Sequence, residues 1–313
     1  MVKLFFQRLA VSVPLLIIAT AATFFLLQLS DTDPAVIRLG DSATDEQYEA
    51  VRAELGVDRS AVRQYVDWAG GAAHLDFGES WARGVPVWGL VKQRIPATVS
   101  LTLGAILVAV SIGVPLSMAA GIRAGTVRDS ALTAVASVGQ AIPNFWAALM
   151  LIAYVALKTD LFDATGYTPI TDSFTGWLQS IALPSIALGT AGSAAIARQA
   201  RAAVASTVGR PFVRTAVAVG YSRWSILGRD VLRNASIPIV TVIGIQTSFL
   251  LGGAFIVEDV FQIPGMGKLA FDAILRNDIP VVLAVVAVAA LMITLIQLVL
   301  DLVYGVLDPR VRV

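Results

Sequence analysis

Residues that could carry catalysis or hold a metal ion are scarce in this chain. It contains one histidine, His74, and no cysteine. Thiolate metal sites, disulfides, histidine metal clusters and a Ser-His-Asp triad are therefore excluded. The phosphate-binding pattern G-x-x-x-x-G-K-S/T is also absent, so the chain has no P-loop of its own. The sequence predicts a protein that is not an enzyme and that binds no metal or cofactor itself.

Four side-chain amides stand in long stretches of sequence that carry no charge. They are Gln140, Asn144, Gln246 and Gln297. An amide both donates and accepts hydrogen bonds, so these residues are candidates for lining a polar pathway that accepts a peptide backbone. The commoner role of such groups in apolar helices is a hydrogen bond to a neighbouring helix. The sequence leaves both roles open.

The composition indicates what surrounds these amides. Hydrophobic residues make up 57% of the 313 residues and charged residues 14%, whereas soluble domains average roughly 25% charged residues. So little charge cannot cover a water-exposed surface, which excludes a cytosolic enzyme and a disordered chain. The net charge of +1 provides no field that attracts a polyanion, so no nucleic-acid partner is expected.

Six stretches of at least 20 residues contain no Asp, Glu, Lys or Arg. A helix of about 20 residues crosses the hydrocarbon core of a bilayer and satisfies its own backbone hydrogen bonds there. We therefore predict an all-α integral membrane protein with six transmembrane helices, at Leu9–Leu29, Ile95–Ile122, Ser130–Leu157, Ser173–Ala197, Asn234–Val257 and Ile279–Leu300. The first stretch resembles a cleavable signal peptide at Ala19–Ala21, but it continues apolar to Leu29, which favours an uncleaved helix.

The distribution of charge predicts the orientation. With both termini in the cytoplasm, the inner segments carry 13 of the 23 Lys and Arg residues and the outer segments carry 10. Seven of those 10 lie in one long outer loop, where the positive-inside rule is least reliable. Without that loop the contrast is 13 to 3, so an N-in, C-in arrangement is expected.

The long outer loop, residues 30–94, has helical signals of its own. A capping box at Thr44–Gln47 predicts a helix at Asp45–Leu55. Further helices are predicted at Ser60–Ala69 and at Pro86–Ile95, the last running into the membrane. Together these helices would form a cap that either shields the bundle or docks an extracytoplasmic partner.

The longest inner loop, Arg198–Ser236, carries seven arginines and one acidic residue. Pro211 suits the start of a helix and Gly220 suits its end. Beyond them, Ser222 is placed to cap a second helix, whose predicted apolar face comprises Trp224, Leu227, Val231, Leu232 and Ala235. Such a basic amphipathic segment either lies on anionic lipid or docks a soluble cytoplasmic protein, and the pattern alone favours lipid.

Residues 214–222 resemble the cytoplasmic signature of permease subunits of binding-protein-dependent ABC importers. That signature begins Glu-Ala-Ala and has a glycine four positions after the last alanine. Here Arg214-Thr215-Ala216 stands in place of Glu-Ala-Ala, and Gly220 keeps its position. This departure, together with the continuation Arg233-Asn234-Ala235-Ser236-Ile237-Pro238, resembles the dipeptide/oligopeptide/nickel branch of the family.

Five further segments resemble the family in order along the chain. They are residues 8–35 (first helix and exit), 75–80 (the D-x-G-x-S loop), 94–98 (start of the second helix), 253–267 (ending V-E-x-V-F-x-x-P-G-x-G) and 307–310 (the C-terminal end). The length and the first helix resemble the B-type permease, one of two non-identical permeases in these importers.

The resemblance implies a type I importer permease that forms half of a translocation pathway for peptides across the bacterial cytoplasmic membrane. A homologous C-type permease would supply the other half, two partner ATP-binding subunits would bind ATP and Mg²⁺, and a substrate-binding protein would dock outside. The residues implied in ATPase coupling are Pro211, Arg214, Thr215, Ala216, Gly220, Tyr221, Ser222 and Arg223. A candidate gate, folded back as a tight turn over the outer mouth, contains Phe261, Pro264, Gly265 and Gly267.

This organisation predicts five regions. Residues 1–29 form the cytoplasmic N-terminus and first span, and residues 30–94 form the cap. Residues 95–304 form a five-helix core that contains the coupling loop 198–236, and residues 305–313 form a cytoplasmic tail.

Three other classes compete with this interpretation. An ion-driven secondary transporter usually has ionisable residues at membrane depth or broken helices, and here the six stretches lack charge although Pro143 and Pro184 could interrupt helices. A membrane sensor predicts a soluble signalling domain and a channel predicts a filter-like run, and neither is evident in the sequence. Among importers of this branch, nickel, haem and glutathione-like cargo stay open beside peptides.

Overall fold

The structure is a computed structural model that describes residues 2–30, 33–40 and 42–307, without the side chains of residues 2–9, 223 and 306. The described chain is predominantly helical and contains no β-strand. Its helices are α1 (Val2–Leu27), α2 (Pro34–Leu39), α3 (Asp45–Leu55), α4 (Ala61–Ala72), α5 (Val87–Gly121), α6 (Val127–Ala141), α7 (Asn144–Tyr154), α8 (Phe174–Val208), α9 (Pro211–Ala218), α10 (Arg223–Ser225), α11 (Leu232–Val260), α12 (Met266–Leu275) and α13 (Ile279–Leu307). A 3-10 turn follows α7, and a π-helix, Ile226–Val231, joins α10 to α11.

Five stretches of helix are long and apolar enough to cross a membrane. They are Ala10–Leu27, Val87–Gly121, Phe174–Val208, Ile226–Val260 and Ile279–Gly305. The remaining predicted span is a pair of shorter helices, α6 and α7, which meet at an angle of 91°. Counted as one span, the pair brings the total to the predicted six. The span predicted at Ser130–Leu157 is thus interrupted at Pro143, one of the two prolines expected to be able to interrupt a helix.

Two prolines in apolar helices have different effects. Ile142 has the extended conformation that a residue before proline prefers, with ψ of 119°, and Pro143 then precedes the first residue of α7. Pro184 lies inside α8, which continues without a break to Val208. Pro184 is buried whereas Pro143 is exposed, so packing holds the helix together at one proline and not at the other.

Contacts divide the chain into two compact units, of which the first comprises Val99–Ile263 and the chain from Leu295 onward. α8 is the central helix of this unit, because α6, α7 and α11 all pack against it. Of the residues in its apolar window, 78% are buried. Many of the buried positions are Gly, Ala or Ser, and small residues allow the backbones of apolar helices to approach closely.

α5 approaches α8 so closely that glycines on both helices have no room for a side chain. A Cβ atom on Gly113 of α5 would lie 2.7 Å from the carbonyl oxygen of Ser193 and 2.8 Å from the Cβ of Ile196. A Cβ atom on Gly189 of α8 would lie 2.6 Å from the carbonyl oxygen of Ala105. The packing of α5 on α8 therefore depends on glycine at these positions.

We expect Gly113→Ala to lower the free energy of unfolding by about 1–3 kcal/mol, the usual effect of overpacking. Gly252→Ala is the matched control, because a Cβ atom on Gly252 would have no neighbour within 4 Å. That variant should keep or raise stability, since alanine favours an α-helix over glycine by about 0.5–1 kcal/mol. Thermal unfolding in detergent, followed by tryptophan fluorescence, compares them. Equal melting of both variants and the unmodified protein would contradict the close packing.

The second unit comprises Val2–Thr98 and Pro264–Thr294 and has its own core. The buried residues of its largest cluster come from the loop before α5, the start of α5, α12 and the start of α13, and they include Phe77, Val87, Val91, Met266, Leu269, Ala273, Val281 and Val285. Aromatic rings continue this core toward α1. Consecutive ring centroids lie 5.7 to 6.3 Å apart along the series Phe24, Tyr65, Trp68, Phe77.

A buried carboxyl group ties the loop before α5 to the turn before α13. Asp278 is 3% exposed and accepts hydrogen bonds from Ser80 Oγ and from the Trp81 N–H, the latter at 3.1 Å. Asp76 accepts the N–H of Gly78 at 3.0 Å, and Gly78 is left-handed with φ of 77°. The D-x-G-x-S segment (Asp76, Gly78, Ser80) therefore has a structural role, because it shapes and fixes this loop.

The predicted helices of the outer loop are confirmed in part. The Thr44 hydroxyl accepts the N–H of Gln47, the Gln47 side chain accepts the N–H of Thr44, and α3 ends as expected at Leu55. The prediction that the next helix ends at Ala69 is wrong. α4 continues through Gly71, whose missing side chain leaves room for the carbonyl oxygen of Asp76 rather than for a helix end.

Two other boundaries differ from the predictions. Pro86–Ile95 is not a separate helix, because Val87–Ile95 forms the first turns of the 35-residue α5. Val87 and Val91 are both fully buried, and this packing holds the helix together across Pro96. The candidate gate segment, residues 261–267, also differs, because α12, a helix not predicted from the sequence, begins within it at Met266.

Asp33 fixes the start of α2 and joins it to α3. Its carboxylate accepts the N–H of Ala35 at 2.9 Å and the Nε–H of Arg52 at 2.8 Å. The Arg52 guanidinium holds the pKa of Asp33 below its ordinary value of 3.8. Because the pKa is lowered in the folded state, this stabilisation is complete at neutral pH and is lost as the pH falls through the lowered pKa.

We therefore expect α2 to lose protection from hydrogen exchange as the pH falls from neutral to about 3. In Asp33→Asn, which removes the titrating group, protection of α2 should already be weak at neutral pH and should not fall further. Exchange measured by mass spectrometry, corrected for the intrinsic pH dependence of exchange, follows both proteins. An equal acid-induced loss in Asp33→Asn would assign the effect to another group.

Candidate functional site

The inner loop between α8 and α11 begins with a short helix whose limits are set by proline and glycine. Pro211 occupies the first turn of α9, where its missing N–H removes no helical hydrogen bond. α9 ends at Ala218, and Gly220 is left-handed with φ of 88°. The predicted start at Pro211 and the predicted stop at Gly220 are confirmed.

Gly220 closes α9 through a Schellman motif. The Tyr221 N–H donates to the carbonyl oxygen of Ala216, and the Gly220 N–H donates to that of Val217, both at 3.1 Å. The left-handed conformation costs a residue that has a Cβ atom roughly 1–2 kcal/mol. Gly220 therefore fixes the direction in which the chain leaves α9.

α9 and the turn after it expose apolar side chains to an unusual degree. Exposed fractions are 38% for Phe212, 61% for Val217, 71% for Val219, 58% for Tyr221 and 84% for Trp224. Thr215 turns back on its own helix, where its hydroxyl donates to the Pro211 carbonyl oxygen at 3.2 Å. Arg210 and Arg214 are also exposed and form no ion pair with any described residue. The loop thus presents apolar surface and positive charge that this chain does not cover.

The prediction that the second helix of the loop is a separate element is wrong. Ser222 does act as a cap, because its Oγ accepts the N–H of Ser225 at 3.3 Å, but α10 passes directly into the π-helix and then into α11. A π-helix has a wider turn than the α-helix on which the predicted face was based. Of the predicted apolar face, Val231 and Ala235 are buried, whereas Trp224 and Leu232 are exposed. Arg223 begins α10, and its side chain lies outside the described residues.

Three of the four candidate amides line one cavity. Gln140 near the end of α6, Asn144 at the start of α7 and Gln246 on α11 surround a volume of about 350 Å³. The bend at Pro143 separates Gln140 from Asn144, so the bend itself opens this space. Apolar and small residues complete the wall: Ile142, Leu188, Ala191, Gly192, Ala195, Phe249 and Leu250. The described lining contains hydrogen-bonding groups but no charge.

The other candidates are not among the residues of this lining. Gln297 is an exposed residue of α13. Phe261 is 1% exposed, and its carbonyl oxygen accepts the N–H of Gly166 at 2.8 Å. Pro264 and Gly265 lead into α12, and Gly267 lies in its first turn. The role of Phe261, Pro264, Gly265 and Gly267 as a gate stays a prediction.

Two family profiles match this chain. The family described as "Binding-protein-dependent transport system inner membrane component" matches residues 113–313. The N-terminal region of the same kind of membrane component matches residues 1–102. The chain belongs to this family of transport components. It is therefore a multi-pass permease subunit of the bacterial plasma membrane.

Relatives of this permease are similar over their whole length. A putative peptide transport system permease protein of Brucella abortus is 33% identical over 312 residues, which cover 100% of this chain and 99% of the relative. A probable peptide ABC transporter permease protein of Sinorhizobium fredii is 34% identical over 98% of both chains. The dipeptide transport system permease protein of Escherichia coli K12 is 33% identical over 100% of this chain and 99% of its own.

The fold of the permease is similar to that of a solved importer. A chain of the MetNI methionine ABC transporter, in an inward-facing conformation, gives a TM-score of 0.57 at 16% identity and covers 70% of this chain and 96% of that chain. Another crystal form of that transporter gives a TM-score of 0.54. At such low identity the likeness is one of fold alone. The predicted ABC importer permease fold is confirmed.

One buried ion pair near the inner loop was not predicted from the sequence. Asp129, in the first turn of α6, is 3% exposed and accepts two hydrogen bonds from the guanidinium of Arg201 on α8. It also accepts the N–H of Gly125 at 2.8 Å. The two partners are 72 positions apart, and no local pattern links them. The pair joins the start of α6 to the last turns of α8, just ahead of α9.

We expect Asp129→Asn to lower the melting temperature of the permease, because it leaves the partly buried Arg201 without its charged acceptor. Arg198→Gln is the control, since Arg198 is an exposed arginine of the same helix. Arg201→Gln should add little further loss in the Asp129→Asn background, because the two residues act as a pair. Thermal unfolding of the two single variants and the double variant measures this. Strictly additive losses would show that the pair does not stabilise the fold.

Proposed function

We propose that this permease is one of two homologous membrane subunits of an ATP-driven peptide importer and forms half of its translocation pathway. The observation that carries the proposal is 33% identity, over the whole chain, to permeases named for peptide and dipeptide transport. A homologous C-type permease would complete the pathway. Two partner ATP-binding subunits would bind ATP and Mg²⁺, because this sequence contains no P-loop.

The proposed contact for the ATP-binding subunits is α9 with its closing turn, from Pro211 to Arg223. Burial of its exposed apolar side chains in a partner groove is favourable, and Arg214, which forms no ion pair with a described residue, is available to an acidic residue of that groove. α9 is capped by hydrogen bonds and packs against the π-helix, which continues into α11. A movement imposed on α9 is therefore transmitted to a membrane-spanning helix.

We propose that Gln140, Asn144 and Gln246 line part of the translocation pathway. A peptide backbone presents donors and acceptors in alternation, and side-chain amides can pair with both. An uncharged lining with few hydrogen-bonding groups suits a cargo of peptides whose side chains differ from one another. Support comes from the convergence of three amides on one cavity beside the central helix α8.

An extracytoplasmic substrate-binding protein is the proposed partner of the cap, through α3. No residue of α3 is buried in this chain, and its first turn carries Asp45 and Glu46. The helix is nonetheless closed at both ends by a capping box and a left-handed Gly56. A rigid, exposed, acidic helix of this kind suits contact with a basic surface of a soluble protein.

The cargo and the energy source are tested together in vesicles. The complex, purified through a tag on this chain in mild detergent, should contain a second permease and P-loop subunits. After reconstitution into vesicles, the complex should transport labelled dipeptide only when ATP is supplied on the side of the ATP-binding subunits and the binding protein is present on the opposite side. If nickel, haem or glutathione competes with the labelled dipeptide for uptake and unlabelled peptides do not, the proposal of a peptide cargo is wrong. Uptake driven by an ion gradient without ATP would overturn the importer class.

The coupling contact is tested by a matched pair of glycines. Gly220→Ala imposes a left-handed conformation on a residue with a Cβ atom, although no atom lies within 4 Å of that position. Gly209→Ala is the control, since Gly209 has ordinary helical φ of −71° and a Cβ atom there would be 3.7 Å from its nearest neighbour. We expect Gly220→Ala and Arg214→Glu to lower ATP-dependent uptake severalfold at unchanged membrane levels. Uptake equal to that of Gly209→Ala would count against a coupling role for α9.

A further inference from the structure

One helix of the outer cap lies against the first transmembrane helix well inside its apolar span. The Tyr65 hydroxyl of α4 donates to the carbonyl oxygen of Ile17 at 3.0 Å. Ile17 precedes the last residue of α1, Leu27, by ten positions, which is about 15 Å along a helix axis. The Tyr65 ring also packs against Phe24, with ring centroids 5.7 Å apart. The middle of α4 therefore lies beside the last turns of the apolar span Ala10–Leu27.

The outward-facing side of α4 is divided into an apolar half and a charged half. Val62 and Val66 are one helical turn apart and are 63% and 55% exposed. Arg63 and Asp67 are also one turn apart and form an ion pair at 3.1 Å. Since successive residues of an α-helix are about 100° apart, the charged pair lies about 100° around the helix from the valine pair. The exposed surface of α4 is thus amphipathic.

The apolar half of α4 continues the exposed surface of α1. Only 11% of the apolar window of α1 is buried within this chain. Phe25 and Leu26 are 42% and 68% exposed, and the Phe25 ring centroid lies 6.2 Å from that of Tyr65. Tyr65 lies between Val62 and Val66 along α4. The two valines therefore flank the residue that contacts α1 at membrane depth.

We propose that α4 is an interfacial membrane anchor whose Val62 and Val66 insert among the lipids of the outer half of the bilayer. In this position Arg63 and Asp67 face the headgroup layer and water, as the polar side of an interfacial helix does. The bilayer is the occupant that fits, because the same apolar surface continues onto α1, a helix that crosses the membrane. A soluble binding protein would approach from water, where α4 presents charge. The anchor holds the cap to the membrane surface, a role separate from transport.

Collision measurements on spin-labelled protein test this placement. The chain has no cysteine, so Val62→Cys, Val66→Cys, Arg63→Cys and Asp67→Cys each provide a single labelling site. Each variant is studied as the whole complex in lipid vesicles. Oxygen concentrates in the acyl region, whereas a charged or chelated nickel reagent stays in water. The ratio of oxygen to nickel accessibility should be severalfold higher at positions 62 and 66 than at the control positions 63 and 67.

Two results would overturn the proposal. Equal ratios at all four positions would place the valines in water. Exclusion of both reagents from positions 62 and 66 would mean that another protein, such as the second permease or the binding protein, covers them. A fluorescent label on the same cysteines, quenched by lipids brominated in the acyl chain, gives a second measurement of lipid contact. Neither readout involves transport, so the placement is tested independently of cargo.

Discussion

The approach of α5 to α8 across glycine is the constraint on which the first unit depends. A single methyl group on Gly113 or Gly189 would overlap a backbone oxygen of the facing helix. α8 is also covered by α6, α7 and α11. A helix covered on so many sides must be apolar and narrow, which explains its run of Gly, Ala and Ser. Charge returns only near its inner end, where Arg201 meets Asp129.

Features that arise within a few residues of each other were predictable from the sequence. A stretch of 20 residues without charge identifies a span, a capping box identifies the start of α3, and Pro211 with Gly220 identifies both ends of α9. The bend at Pro143 was not predictable in the same way. Pro143 and Pro184 stand in similar apolar surroundings in the sequence, and only the packing around α8 distinguishes them.

The same distinction applies to the candidate site. The amides were identified by residue type, but which of them share a cavity depends on the bend between α6 and α7, so Gln297 could not be separated from the other three beforehand. The π-helix at Ile226–Val231 was not anticipated, because the helical periodicity assumed 3.6 residues per turn. The pair of Asp129 and Arg201 depends on tertiary contact between distant residues.

The cavity lined by Gln140, Asn144 and Gln246 has no ionisable side chain in its described lining. None of its described lining residues gains or loses a proton anywhere between mild acid and mild base. Acidification of the medium therefore changes the charge of none of these lining residues, and a proton-motive force finds no titrating group among them. Among the groups that meet inside the cavity, only those of the bound molecule can titrate in this range.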